Sequence, residues 1–193
     1  MNPTAYASAP VRETAAEAAE DLFFGQVAII YARWAVIVAG IVMILAAGNA
    51  GQLTIELVPI VLLMAVNFFL HGRHFMERPA NRLLVLLASL LDLAVLSAIV
   101  LTWPGGPGLG SPYFVFLYPV VFAFALVFPP AYAAAFGLLA AVAYASVSLF
   151  AGLQHGPSDL KSLVMRLVTL SAMAALGTFY WRQQRARRRV LPA

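Results

Sequence analysis

The sequence predicts an all-α membrane protein with six transmembrane helices. Its 193 residues are 63% hydrophobic and 10% charged, and its mean hydropathy is +0.89. Soluble proteins are roughly a quarter charged, whereas a helix needs about 20 apolar residues to cross a bilayer. Six apolar runs occupy most of this chain and leave no room for a soluble catalytic domain. We therefore expect no enzymatic activity.

Residues 1–26 are predicted to form a polar N-terminal arm. Acidic residues precede the first apolar run, which is the wrong sign for a signal peptide, so we expect the arm to be retained. Its alanine- and glutamate-rich stretch over 13–24 favours a helix. Leu22, Phe23 and Phe24 suit a position in the membrane interface. A disordered arm is the alternative.

The membrane domain is predicted over residues 27–181. Its apolar runs cover 27–48, 53–70, 83–102, 114–128, 131–152 and 163–181, and the second and fourth are the shorter ones. Pro129 and Pro130 separate the fourth run from the fifth, because two prolines cannot continue a helical hydrogen-bond ladder. A single re-entrant element at this break is the alternative to two separate helices.

Basic residues predict the orientation of the helices. With the N-terminus inside, Lys161 and Arg166 are the basic residues left on the outer side, so both termini are predicted to be cytoplasmic. This orientation fits the inner (plasma) membrane of a bacterium. The arginines of the basic tail, residues 182–193, are expected to contact membrane lipid rather than nucleic acid.

Asp92 is the most unusual residue of the apolar runs. It lies near the middle of the third helix, where a carboxylate costs roughly 2.5–3.5 kcal/mol. Such a residue normally faces the interior of the bundle, and Arg166 is the predicted partner in an intramembrane polar pair. Arg33 lies beside Trp34 and is expected to extend to the interface without a function. The pair serves either a proton-coupled or conformational switch or a structural tether, with Asp92 protonated.

The histidines do not predict a metal site. His71 and His74 lie on the cytoplasmic side of the predicted topology, whereas His155 lies on the outer side. The chain also has no cysteine, which excludes thiolate ligands and disulfides. No catalytic residues are assigned, because no nucleophile and base are paired in the sequence.

The connection between the third and fourth helices is the candidate ligand site. Glycines let a ligand approach the backbone closely, and aromatic rings beside free N–H donors suit a quinone head group. The candidate binding residues are Trp103, Gly105, Gly106, Ser111, Pro112, Tyr113 and Phe114. A quinone is the one cofactor that this pattern suggests. The alternative is a tight loop with interfacial aromatic residues.

The order of several motifs resembles the six-helix membrane sensor region of bacterial sensor histidine kinases. The motifs are Arg33-Trp34, Leu91-Asp92-Leu93, the loop from Gly105-Gly106 to Ser111-Pro112-Tyr113, Leu117-Tyr118-Pro119, and Met165-Arg166-Leu167. The resemblance spans roughly residues 28–189. It is closest to the redox-sensing RegB/PrrB type, whose outer loop carries a G-G-x-x-N-P-F motif implicated in quinone binding. This resemblance implies a ligand-sensing role for the loop.

The loop departs from that motif in two ways. Ser111 stands where the family has asparagine, and four residues rather than two separate it from the glycines. The sequence also shows no phosphoacceptor domain or ATP-binding domain. We therefore expect a sensor-like module that acts through a partner protein.

Two other functions remain open. One is an accessory subunit of a larger membrane bioenergetic or transport complex, packed through the small residues of the fifth helix. The other, weaker one is the substrate-binding component of a small-molecule transporter. A sensor-like unit predicts a homodimer, and an accessory subunit predicts a heteromeric complex.

Overall fold

The structure is a computed structural model that describes residues 15–47, 53–76, 81–103, 106–151 and 156–190. These ranges contain six α-helices and no strand, which confirms the predicted all-α class. The helices are α1 (Ala15–Ala47), α2 (Leu53–Phe75), α3 (Arg82–Thr102), α4 (Leu117–Val127), α5 (Pro130–Phe150) and α6 (Pro157–Val190). Two short 3-10 helices, Gly108–Gly110 and Pro112–Phe116, lie between α3 and α4.

Five helices contain stretches long and apolar enough to cross a membrane. The stretches are Gly25–Ala46, Leu57–Phe75, Arg82–Thr102, Pro130–Phe150 and Pro157–Ala186. α4 has 11 residues and is shorter than a membrane span, even when the preceding 3-10 helix is added. The structure therefore shows a helical bundle of the membrane type with five candidate spans.

The fourth segment nevertheless runs along most of the bundle. Phe116 lies beside Gly40 of α1, and Val127 lies against Gly25 of the same helix. These positions on α1 are separated by about 22 Å of helical rise. The 3-10 helix and α4 together therefore extend antiparallel to α1 over that length.

α4 is the centre of the bundle. It packs against α1, α3, α5 and α6. Phe124 is buried and stacks on Phe128 at 4.2 Å and on Phe136 of α5 at 4.0 Å between ring centroids. Gly177 of α6 allows the closest approach, because a Cβ there would lie 2.6 Å from the Cβ of Ala125. A short apolar segment with small residues thus lets its neighbours pack closely around it.

The ends of the helices follow from their sequences. Asn81 caps α3 by accepting the backbone N–H of Leu84 over 2.8 Å. Pro130 and Pro157 occupy the first positions of α5 and α6, where the missing N–H costs nothing. We call the end of the bundle with Gly25, Arg82, Pro130 and Arg182 the basic end, beyond which α6 continues to Val190. The opposite end, with Trp103, is the loop end.

The outward faces of the long helices are apolar. Large side chains with more than half of their surface exposed occur on several helices, for example Val42, Val61, Leu138 and Val168. Soluble monomers rarely expose apolar patches of this extent. The distribution is compatible with a membrane protein.

Several boundaries differ from the sequence prediction. α2 ends at Phe75 rather than at 70, so it is longer than α3 and α5 instead of being one of the shorter helices. α6 begins at Pro157 rather than at 163. The helix expected over 13–24 begins at Ala15 and continues without a break into the first apolar run, so α1 has 33 residues. α6 continues through Trp181 to Val190, so the predicted basic tail is helical up to residue 190. Residues with high helix propensity at the ends of these helices continue the helical backbone beyond the apolar stretch, because hydrophobicity does not determine where a helix ends.

Candidate functional site

A buried ion pair joins α1 to α3. The Nε of Arg33 donates to Oδ2 of Asp92 over 2.6 Å, and its Nη2 donates to Oδ1 over 2.7 Å. Nη2 also donates to the carbonyl oxygen of Ala88 over 2.6 Å. Arg33 is 4% exposed and Asp92 is 3% exposed. The carboxylate is therefore held by two parallel bonds to one edge of the guanidinium, which is the favoured geometry for this pair.

The position of each side chain along its helix explains the pairing. Arg33 follows Gly25 by eight residues, and Asp92 follows Arg82 by ten, where these apolar stretches begin. With a rise of about 1.5 Å per residue, both lie roughly 12–15 Å from the basic end. The two charges meet because they occupy the same depth on neighbouring helices.

The predicted pairing of Asp92 with Arg166 is wrong. Both carboxylate oxygens of Asp92 are bound by Arg33, and Arg166 bonds to α5 instead. Arg166 precedes Arg182 by 16 residues, which places it about 24 Å from the basic end and beyond the depth of Asp92. The expectation that Arg33 extends to the interface is also wrong, because its side chain is buried.

Further polar contacts tie α1 to α2. The Nδ2 of Asn67 donates to the carbonyl oxygen of Ile30 over 3.3 Å, and the Nε1 of Trp34 donates to the Nδ1 of His71 over 3.3 Å. The Nη1 of Arg33 and the Oδ1 of Asn67 are buried and have no bonded partner in the described part of the chain. α1 is thus held on both sides by polar side chains, and two of their polar atoms remain unsatisfied.

A second arginine lies between α4, α5 and α6 toward the loop end. The Nη1 of Arg166 donates to the hydroxyl of Tyr144 over 2.6 Å, and its Cζ lies 3.6 Å from the centroid of the Phe114 ring. The ring centroid of Tyr118 lies 5.8 Å from that of Phe114, and its hydroxyl is near Thr169. We call these five residues, Phe114, Tyr118, Tyr144, Arg166 and Thr169, the Arg166 cluster. Its cation is positioned by neutral groups.

Arg166 has an unused donor edge. Within the described residues, its Nε and Nη2 have no acceptor, and it forms no ion pair. Asp159 is seven positions earlier on α6, about 10 Å along the helix axis. Nε and Nη2 are the two atoms with which Arg33 holds Asp92. Neither of these two Arg166 atoms is fully buried, so the same bidentate edge remains accessible to a ligand.

The aromatic residues of the predicted quinone loop pack against one another. Tyr113 is 1% exposed, and its ring centroid lies 4.6 Å from that of Trp103 and 5.6 Å from that of Phe116. Ser111 is buried, and its hydroxyl accepts the backbone N–H of Tyr113 over 3.4 Å. The rings of Trp103 and Tyr113 proposed to stack on a quinone therefore pack on one another, and Ser111 accepts a hydrogen bond from within the loop. A ligand-binding role for them stays a prediction.

The remaining loop residues lie in different surroundings. Gly106 has a φ of +137°, and Pro112 begins the second 3-10 helix and is exposed, whereas Gly105 lies outside the described residues. Gly108 has a φ of +65°, and a Cβ there would lie 2.8 Å from the Cβ of Ala151 at the end of α5. This glycine serves close packing of the loop. Phe114 connects the loop to the Arg166 cluster.

The structure brings together some of the predicted residues and separates others. Phe114 and Arg166 are in contact, whereas Asp92 belongs to the separate pair with Arg33. The sequence analysis did not identify Arg33 as the partner of Asp92 or Tyr144 as the partner of Arg166. Tyr144 follows Pro130 by 14 residues on α5, so its depth of about 21 Å from the basic end matches that of Arg166. A comparison of depths would have found both partners.

Comparison with known proteins does not assign this chain to a family. The chain matches no family model, and no curated protein or solved structure was found to be similar to it. Its function therefore has to be inferred from the bundle and its two arginine sites.

Proposed function

We propose that this chain is a non-enzymatic, sensor-like membrane module that transmits a ligand-dependent displacement along α6 to a partner protein. The observation that carries this proposal is the unbroken helix α6, with 34 residues and a length of about 51 Å. The hydrocarbon layer of a bilayer is about 30 Å thick. α6 therefore extends well beyond the layer as one helix.

The contacts of α6 support transmission between its two ends. Arg166 lies near the loop end and contacts Phe114, which follows the loop directly. Gly177 packs against Ala125 of α4 farther along the helix. The segment beyond Trp181 includes the exposed Arg182 and is available to a partner. A change near the loop can thus act on α6 before it leaves the bundle.

The proposal includes a topology of six crossings with both termini in the cytoplasm of a bacterium. The course of the fourth segment along α1, from Gly40 to Gly25, supports a sixth crossing despite the short α4. The clustered arginines of α6 support a cytoplasmic C-terminus by the positive-inside rule. The ligand we propose is a quinone or another lipid-soluble molecule that acts near the loop end.

Distances between spin labels test the proposed displacement. The chain has no cysteine, so Leu83→Cys with Gln183→Cys supplies the two labelling sites. Both positions are exposed near the basic end, on α3 and α6. Decylubiquinone in its oxidised and reduced forms should give label distances that differ by about 1–2 Å, a typical shift of helices in signalling transitions.

A matched pair of labels controls for general changes of the bundle. Tyr31→Cys with Leu83→Cys places both labels at exposed positions on α1 and α3, two helices tied together by the ion pair between Arg33 and Asp92. Their distance should stay constant. Equal distance distributions for the α3–α6 pair in both redox states contradict redox sensing, since a ligand shifts an equilibrium only through differential affinity.

A second candidate function is an accessory subunit of a heteromeric complex. A cavity of about 580 Å³ opens between α5 and α6, lined by small residues that include Ala134, Gly137 and Ala174. Such surfaces allow close packing of another transmembrane helix. Mass determination after gentle solubilisation separates the two functions, because the sensor-like module predicts a homodimer and the accessory subunit predicts a larger heteromeric assembly.

A further inference from the structure

We propose that the Arg166 cluster binds the anionic head group of an amphiphile, with a carboxylate or phosphate held on the Nε and Nη2 edge of Arg166. The proposal names the ligand class of the sensor-like module and rests on the proposed function for its biological role. The site itself follows from the geometry of the cation and its surroundings.

The guanidinium is already oriented. Its Nη1 is fixed by the hydroxyl of Tyr144, which is 3% exposed, and one face is covered by the ring of Phe114. These contacts come from two separate elements, so the side chain loses little freedom when it binds a ligand. They also leave the bidentate edge uncovered. A planar fork of this kind matches a carboxylate or a phosphate.

The surroundings of Arg166 require an acceptor. Its two unpartnered donors keep some accessible surface beside apolar helices, where an unsatisfied polar group is costly. Arg33 shows how the same edge is satisfied within this protein, by a carboxylate. Because no carboxylate of the described chain lies within ion-pair distance of Arg166, an external anion is the matching partner.

The depth of the site suits an amphiphile. Arg166 lies about 24 Å from the basic end. For a hydrocarbon layer about 30 Å thick that begins at that end, this depth is roughly 6 Å inside the far boundary. A head group at this depth still has its chain in the hydrocarbon. Met165 and Val168, 67% and 60% exposed, offer apolar surface beside the cluster. A water-soluble anion would have to leave its hydration shell to reach the same point.

An anionic group fits this edge better than a neutral quinone. A quinone carbonyl offers one acceptor atom, whereas carboxylates and phosphates offer two oxygens for the two parallel donors. The charge of Arg166 is also left without a countercharge by the described residues around it. The assignment therefore concerns the shared chemistry of a phospholipid phosphate and a fatty-acid carboxylate.

Native mass spectrometry of the full chain in neutral detergent tests the site. The probes are dioctanoyl phosphatidylglycerol, decanoate and decylubiquinone, each titrated separately. Arg166→Gln should weaken binding of at least one anionic probe by about tenfold or more, the loss expected for a charge-assisted hydrogen bond. Lys161→Gln is the matched control, because it removes the same charge at an exposed position of α6 and should bind as the original chain does.

Arg166→Lys keeps the test decisive if Arg166→Gln does not fold. It retains the charge but lacks the planar fork, and its binding should be weaker than that of the original chain by several-fold. A loss confined to phosphatidylglycerol identifies a phospholipid, and a loss for decanoate as well identifies any anionic head group. Unchanged binding in both Arg166 variants, no saturable binding of either anion, or a loss confined to decylubiquinone overturns the proposal.

The outcomes remain separate from those of the proposed function. If an anionic probe binds through Arg166 but leaves the distance between labels at Leu83→Cys and Gln183→Cys unchanged, the site stands and transmission by that ligand fails. If neither anionic probe binds, the site assignment fails, whatever the quinone does to α6.

Discussion

The two arginines inside the bundle have the same side chain but differ in whether the protein supplies a countercharge. Arg33 uses its Nε and Nη2 to hold Asp92 and is 4% exposed. Arg166 is fixed by the neutral Tyr144 and Phe114, and the same two donors have no acceptor in the described chain. The charge of Arg33 is neutralised within the protein, whereas Arg166 is held in position without a countercharge from the described residues.

This difference separates a structural role from a binding role. A buried ion pair is strongly coupled to folding, because removing one partner leaves an uncompensated charge. An oriented cation at the surface can exchange its external partner without unfolding the bundle. The comparison therefore predicts large stability effects at the pair of Arg33 and Asp92 and small ones at the Arg166 cluster.

Asp92→Ala should have the largest effect on stability. It leaves Arg33 buried without its carboxylate, and we expect the free energy of unfolding to fall by about 3–5 kcal/mol. Equilibrium unfolding in mixed detergent measures this change. The double variant Arg33→Met with Asp92→Leu removes both charges and should recover most of the loss. A single variant within about 1 kcal/mol of the original chain contradicts a structural ion pair.

Gly177→Ala should have the second largest effect. Its Cβ would lie 2.6 Å from the Cβ of Ala125 and 3.0 Å from the carbonyl oxygen of Phe122, so α6 must move away from α4. We expect a loss of about 1–3 kcal/mol in the same unfolding measurement. Gly72→Ala is the matched control, because nothing lies within 4 Å of its Cβ position. An equal response of the two variants would show that α4 and α6 are not closely packed.

Tyr144→Phe should have a smaller effect. It removes the acceptor of the Arg166 Nη1 donor, and we expect a loss of about 1 kcal/mol because the half-buried cation can still be solvated on its accessible side. Ser148→Ala, one turn farther along α5, is the control, since the buried hydroxyl of Ser148 has no bonded partner in the described chain. If Tyr144→Phe and Ser148→Ala lower the free energy of unfolding equally, the hydrogen bond from Arg166 to Tyr144 does not stabilise the bundle.

Arg166→Gln should change stability least. The lost contacts with Tyr144 and Phe114 are offset by the removal of a charge from apolar surroundings, so the net change should stay within about 1 kcal/mol. Unfolding measurements on Arg166→Gln and Asp92→Ala, made side by side, check the contrast. A loss at Arg166 as large as that at Asp92 would assign both arginines a structural role.

The apolar runs predicted the helices because membrane helices satisfy their own backbone and need only a sufficient length of apolar side chains. The short fourth helix followed from its short apolar run and the break at Pro129 from the two prolines, and both are confirmed. The helix expected over 13–24 is confirmed from Ala15, but its continuity with the first apolar run was not predicted, because the arm and the run were treated as separate elements. The number of crossings and their orientation remain proposals.

The site was predicted less well, because partners on different helices depend on depth rather than on sequence order. Burial of Asp92 followed from the cost of a charge in an apolar helix and is confirmed. Its partner was misassigned because Arg33 was placed at the interface, whereas it lies about 12 Å from the basic end and near the depth of Asp92. The alanines around Tyr144 predicted a helix face for close packing, and nothing in the sequence indicated that its hydroxyl has a partner on another helix.

Side-chain NMR of the arginines tests the contrast between the two sites most directly. In the chain labelled with ¹⁵N-arginine, the Nε–H resonances of Arg33 and Arg166 are assigned from Arg33→Lys and Arg166→Lys variants. Titration with decanoate or dioctanoyl phosphatidylglycerol should shift the Arg166 resonance in a saturable manner and leave that of Arg33 unchanged. A stationary Arg166 resonance, or equal shifts at both arginines, would contradict an open site at Arg166 and a closed pair at Arg33.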